Sequence, residues 1–211
     1  NISLEIEPNR IYGLLGRNGS GKSTLLNIIT DRIFANGGSV TIDGIPTHEH
    51  DELLGNIYLM SEVNLYPKRA RLQDLFKSSK NMYGGFNEAY AKHLCEAFEL
   101  NPKQRFGQLS TGYRTIFKLI IALCLPVDYV FLDEPILGLD ANHRELFYKE
   151  LLDTYSSHPR TFVISTHMIE EIANMIEHVF VIENGKILVD DDVDHMLSQA
   201  YVITGPGETV D

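Results

Sequence analysis

The sequence has 211 residues, 18 Lys and Arg against 29 Asp and Glu, a formal charge of -11 and 44% hydrophobic residues. That composition fits one folded domain with room for a small insertion, and it argues against wholesale disorder and against a broad grip on nucleic-acid phosphates. Two distant cysteines, Cys95 and Cys124, exclude a disulfide framework or a structural zinc site, and the longest apolar run, Leu119 to Leu125, is far short of the ~20 residues a membrane helix requires.

In chain order, Ile2-Ser3-Leu4-Glu5-Ile6 alternates and predicts a half-buried strand. The chain opens inside that run and closes on another strand-like run, Tyr201 to Pro206, so we expect a piece trimmed at both ends, without its first strand. Arg10 to Leu15 predicts a short apolar strand, followed by a glycine-rich loop and a helix from Lys22 to Phe34. Ser39 to Ile42 reads as a strand ended by Asp43-Gly44. Residues 63–115 change character, with amphipathic stretches such as Glu88 to Phe98, and predict an inserted helical subdomain. Then come helix Ile116–Leu125, strand Tyr129–Leu132, helix 142–155, strand Thr161–Ser165 and helix 168–177. Val179–Ile182 and Lys186–Val189 flank an Asn184-Gly185 hairpin turn. This alternation predicts an α/β fold, a mainly parallel sheet covered by helices with a small antiparallel portion. The expected division is a core of 1–62 and 116–196, the insertion at 63–115, and the start of a C-terminal extension at 197–211.

Gly16-Arg17-Asn18-Gly19-Ser20-Gly21-Lys22-Ser23, followed by Thr24, matches G-x-x-x-x-G-K-[ST] between a strand and a helix. Glycines let successive N–H groups turn inward at phosphate oxygens, and the helix N-terminus adds about half a positive charge there. Lys22 can reach the β- and γ-phosphates, and the Ser23 hydroxyl can hold Mg²⁺. The spacing therefore predicts a nucleoside triphosphate site. Strand Tyr129–Leu132 leads into Asp133-Glu134, a carboxylate pair expected at the carboxyl edge of the sheet, where ligands gather. Asp133 can support Mg²⁺ through water, and Glu134 can orient or activate the attacking water. His167 follows another strand and can hydrogen-bond a γ-phosphate. His48 and His50, in His-Glu-His-Asp-Glu, read as a solvated loop because no third ligand cluster completes a metal site.

Leu109-Ser110-Thr111-Gly112-Tyr113 lies upstream of the Asp-Glu strand, and Gly138-Leu139-Asp140 downstream of it. With the phosphate loop, Asp133-Glu134 and His167, these motifs make the chain resemble the nucleotide-binding domain of the ABC ATPase family. The resemblance spans nearly the whole chain and implies a P-loop NTPase (RecA-like) core that binds ATP and Mg²⁺ and hydrolyses ATP. It also implies head-to-tail pairing with a second ATPase domain, identical or not, whose phosphate loop would share ATP with Ser110 and Gly112 of this chain, and with Asp140 lying across the interface. The expected machine is an ATPase on the cytoplasmic face of the membrane, driving a separate transmembrane permease subunit, with no membrane insertion and no direct nucleic-acid contact of its own.

Three departures from the family pattern stand out. Thr111 and Tyr113 replace Gly and Gln in the signature, and Thr111 adds a Cβ at a crowded position. Ser61 in Tyr58-Leu59-Met60-Ser61-Glu62 falls where the family has a loop Gln that reaches Mg²⁺ and the attacking water; Ser is too short for that reach, and whether Ser61 or Glu62 replaces the Gln stays open. The adenine-stacking aromatic of the family would precede Asn1. Met82-Tyr83-Gly84-Gly85-Phe86-Asn87, then Leu94 to Leu100, resembles bacterial exporter ATPases of the antimicrobial- and toxin-peptide group. The competing readings are a regulatory or sensor ABC ATPase with weak turnover and a soluble ABC protein acting on ribosomes or DNA.

Overall fold

The computed structural model describes residues 2–198. The elements run β1 (Ile11–Leu15), α1 (Lys22–Ile29), β2 (Thr41–Ile42), β3 (Ile45–Pro46), α2 (Asp51–Leu54), β4 (Ile57–Met60), α3 (Leu72–Met82) and α4 (Glu88–Ala97). They continue through α5 (Thr111–Cys124), β5 (Tyr129–Asp133), α6 (Ala141–Ser157), β6 (Thr161–Thr166), β7 (His178–Glu183), β8 (Lys186–Asp192) and α7 (Val193–Ser198).

Six strands form one sheet in the order β4-β5-β6-β1-β7-β8. All neighbours are parallel except β7 and β8, whose Asn184-Gly185 turn takes left-handed φ at both residues. β2 and β3 pair as a separate antiparallel ribbon across the left-handed Asp43-Gly44 turn. The fold is thus the expected α/β architecture with a small antiparallel part. The central strands read as continuous apolar runs because helices cover both faces of a parallel sheet. On one face Ile11, Ile116, Ile120, Leu132, Phe147 and Ile164 belong to one buried cluster, and on the other Tyr12, Leu14, Leu26, Phe131 and Val163 form a second.

Several expectations fail in detail. Residues 2–6 form no strand; Ile2, Leu4 and Ile6 still alternate inward against the Tyr12–Leu26 cluster, but no neighbouring chain segment supplies a ladder for them among the described residues. α1 stops at Ile29 instead of Phe34: Thr30 Oγ1 donates back to Leu26 O, and Asp31 turns to a left-handed φ of 53°. Of Ser39–Ile42 only Thr41–Ile42 pairs. The segment 168–177 yields one 3-10 turn at Ile169–Glu171 followed by isolated turns, while Ile172 and Ile176 stay buried beside Gly13. The Tyr58–Glu62 run, read as loop, begins inside β4. α5 begins five residues before the expected Ile116, so the 115/116 boundary falls within one helix. The Tyr201–Pro206 run lies outside the described residues.

Candidate functional site

The loop between β1 and α1 is shaped by glycines, two through left-handed φ and one through close packing. Gly19 and Gly21 have φ of 82° and 112°, and a Cβ on Gly16 would lie 2.4 Å from Ile182 O. Ser20 N donates to Arg17 O, and Gly185 N donates to Ser20 O, tying the loop to the β7–β8 hairpin. The N–H groups of Asn18, Gly19, Gly21, Lys22 and Ser23 have no hydrogen-bond acceptor among the described residues, which leaves a row of donors at the start of α1. Ser23 and Thr24 are exposed there, and the buried Ser20 Oγ has no hydrogen-bond partner either. That pattern fits an anion with several oxygens.

Lys22 is only 5% exposed. Its Nζ donates to Gly16 O at 2.7 Å and lies 3.2 Å from Glu134 Oε1, an ion-pair contact without hydrogen-bond alignment. The other oxygen of Glu134 lies 3.0 Å from His167 Nδ1. Three residues named by the motifs, from β1–α1, β5 and β6, therefore meet in one chain of contacts at the carboxyl edge of the sheet. Glu134 holds a left-handed φ of 48°, an uncommon conformation for a side-chain-bearing residue and one that turns the chain sharply off β5. Its N–H reaches Ser165 O and Oγ at 3.1 and 3.3 Å.

Asp133 is buried, and its Oδ1 accepts a short hydrogen bond from Ser165 Oγ. β5 and β6 place the two residues directly opposite each other. Ser165 was missed by the sequence reading, since a serine closing an apolar strand carries no spacing signal. Among the described residues no group of three or more His, Cys, Asp or Glu side chains could hold a metal alone. A cation here would complete its shell from phosphate and water, and the oxygen-only pair Ser23 and Asp133 suits Mg²⁺, which keeps such ligands. The residues present fit that ion.

The signature turn lies apart from this chain of contacts. Ser110 caps α5, its Oγ accepting from Tyr113 N at 3.3 Å, and Asp140 caps α6, accepting from His143 N at 2.9 Å. The His143 N–H and ring hold the Asp140 carboxyl below its ordinary pKa. Among the described residues no hydrogen bond or ion pair joins Ser110, Gly112 or Asp140 to the phosphate loop. The expected crowding at Thr111 falls one residue later: Thr111 is exposed, whereas a Cβ on Gly112 would lie 2.6 Å from Gly138 O.

A cavity of about 160 Å³ opens between the two halves of the site, lined by Ser61, Glu62, Thr111, Lys118, Asp133 and Glu134 among others. Lys118, also missed by the sequence reading, donates to Ser61 O at 2.7 Å. A larger cavity, about 580 Å³, lies between α3 and α4 and touches none of the motif residues. His48 pairs with Asp31 in the turn after α1, and His50 caps α2. Burial raises both thiols, Cys95 to about 11, which keeps them unreactive at neutral pH.

Residues 1–137 match the family described as ABC transporter. The ABC transporter ATP-binding protein YtrB of Bacillus subtilis is 30% identical over 201 residues, which cover 95% of this chain and 68% of that protein. The ribose import ATP-binding protein RbsA of Oceanobacillus iheyensis is also 30% identical, over 197 residues covering 87% of this chain, but the chain spans only 39% of its length. The solved ATP-binding subunit of an ABC transporter shares the fold, with a TM-score of 0.81 at 20% identity, over 91% of this chain and 82% of that one.

Proposed function

The chain belongs to the ABC transporter family as an ATP-hydrolysing, ATP-binding domain, and from that premise we propose that Glu134 and His167 act on MgATP held by the 16–24 loop to drive a separate transmembrane subunit. The contact chain Lys22–Glu134–His167 carries this reading. The loop N–H groups and Lys22 bind the triphosphate. Its γ-phosphate competes with Glu134 for the Lys22 ammonium, which frees a carboxylate to orient water. His167, 39% exposed at its side chain, hydrogen-bonds the γ-phosphate from the β6 side. Bound Mg²⁺, held by Ser23 and Asp133, would neutralise developing charge on the phosphate oxygens.

Ser110, Gly112 and Asp140 serve a neighbouring ATPase domain in this reading, since among the described residues no hydrogen bond or ion pair ties them to the phosphate loop of their own chain. Two domains then enclose ATP between them and loosen when it is hydrolysed. No helix of the described residues is long and apolar enough to cross a membrane, and the permease subunit anchors the chain at the cytoplasmic face. The insertion lies within 63–110 in this reading, and α5 (Thr111–Cys124) belongs with the flanking ATP-binding core. The export direction, with a peptide or drug as cargo, is supported by the 82–100 sequence pattern; the import protein among the relatives makes direction the point to measure.

Titration with a fluorescent ATP analogue tests the binding half: saturable, Mg²⁺-dependent binding is expected, and none in the wild type overturns the reading. Vesicles carrying the chain with its membrane subunit test the rest. ATP-driven release of cargo from the cytoplasmic side supports export, and accumulation on that side contradicts it. ATP bound without turnover even in that complex would favour a sensor.

A further inference from the structure

We propose that Lys118 is a positioning residue for ATP hydrolysis: its ammonium ties α5 to the Ser61–Glu62 turn and holds that turn beside Asp133 and Glu134. The proposal rests on the reading of Glu134 above. Lys118 is the one charged residue in Ile116–Leu125, an otherwise apolar and buried run, and is itself only 5% exposed. A buried ammonium is costly unless hydrogen-bonded. Here it donates to two consecutive carbonyls, Ser61 O at 2.7 Å and Glu62 O at 3.4 Å. Burial lowers its pKa.

Those carbonyls belong to the turn that leaves β4, and β4 pairs with β5 in the register Met60↔Leu132. The turn therefore emerges next to Asp133-Glu134, and all five residues line the same cavity. Lys118 thus supplies a side-chain hold on a turn where Ser61 is too short to reach across. It also places a positive charge in the wall of a space lined by three carboxylate side chains, Glu62, Asp133 and Glu134.

The same helix carries the signature turn. Ser110 and Lys118 are eight residues apart, about 12 Å along α5 at the helical rise. A displacement at Ser110 or Gly112 is carried along α5, buried from Thr115 to Cys124, to Lys118 and from there to the turn. Lys118 links the partner-facing end of α5 to the position of Glu134's neighbours without touching ATP.

The test is steady-state ATP hydrolysis by the full chain carrying Lys118→Met, with Lys118→Arg beside it. We expect kcat to fall about tenfold in Lys118→Met with KM for ATP within about twofold, and Lys118→Arg to recover to within about threefold of wild type. Wild-type kcat in folded Lys118→Met, a loss confined to KM, or a loss that Arg does not relieve overturns the proposal. Where Lys118→Met does not fold, Lys118→Gln, which keeps N–H donors without the charge, carries the test with the same expected kcat loss. Glu134→Gln run in parallel separates the two readings. Its loss of turnover beside a fully active Lys118→Met overturns the Lys118 role alone, whereas wild-type turnover in Glu134→Gln overturns the reading beneath it.

Discussion

Lys22 and Lys118 are equally buried, and each ammonium donates to a main-chain carbonyl at 2.7 Å. Lys22 grips Gly16, six residues away in its own loop, and meets the Glu134 carboxylate. Lys118 grips Ser61, 57 residues away, and has no carboxylate within ion-pair distance among the described residues. The phosphate-loop lysine sits where an anionic ligand can draw it off its carbonyl and carboxylate. The α5 lysine donates to two consecutive main-chain carbonyls, so it holds backbone in place. In the proposed reading, like residues at like burial do opposite work, one exchanging partners and one clamping them.

The largest expected effect breaks the exchanging side. Lys22→Ala should weaken ATP binding by more than about 100-fold, read by titration with a fluorescent analogue, because the loss removes a charge-assisted contact to phosphate. ATP binding within a few-fold of wild type would make Lys22 a clamp like Lys118.

Gly112→Ala probes the far end of the clamping helix. Its Cβ would meet Gly138 O at 2.6 Å, a backbone atom with little room to yield, so α5 must shift. We expect a loss of about 1–3 kcal/mol in denaturant unfolding, and a kcat loss in the same sense as Lys118→Met. An unchanged unfolding midpoint would mean the α5 and Gly138 turns are not rigidly seated.

The smallest effect is Asp140→Ala, which removes the cap of α6 in the neighbouring turn. The folded carboxyl is held below its ordinary pKa by the His143 N–H. A depressed folded pKa contributes stability above the unfolded value, lost as pH falls through the folded one. Thermal midpoints of wild type and Asp140→Ala should therefore differ slightly at neutral pH and converge below about pH 4. A gap that widens in acid would contradict the capping role.

The same contrast explains what could be read in the sequence. The phosphate loop was legible because its demands are local: glycines at fixed offsets, a lysine and a hydroxyl at the head of a helix. Asp133-Glu134 and His167 were legible because apolar strands point at them. The clamp was not, since a lone lysine in an apolar helix finds its acceptors only once β4 lies beside α5. Residues 2–6 show the converse, an alternation that gave the inward face correctly but could not supply a neighbouring strand. The 168–177 segment likewise kept its buried isoleucines without closing successive helical turns.

Glu134 is the centre of the Lys22–Glu134–His167 chain, and the decisive measurement is ATP turnover and ATP retention by Glu134→Gln. The amide keeps the shape but cannot act as a carboxylate toward water, so we expect kcat to fall by about 100-fold or more, with ATP bound as tightly as in the wild type and a dimer trapped on size-exclusion chromatography in MgATP. Hydrolysis at the wild-type rate would contradict the assignment and move the chemistry away from the Lys22–Glu134–His167 chain.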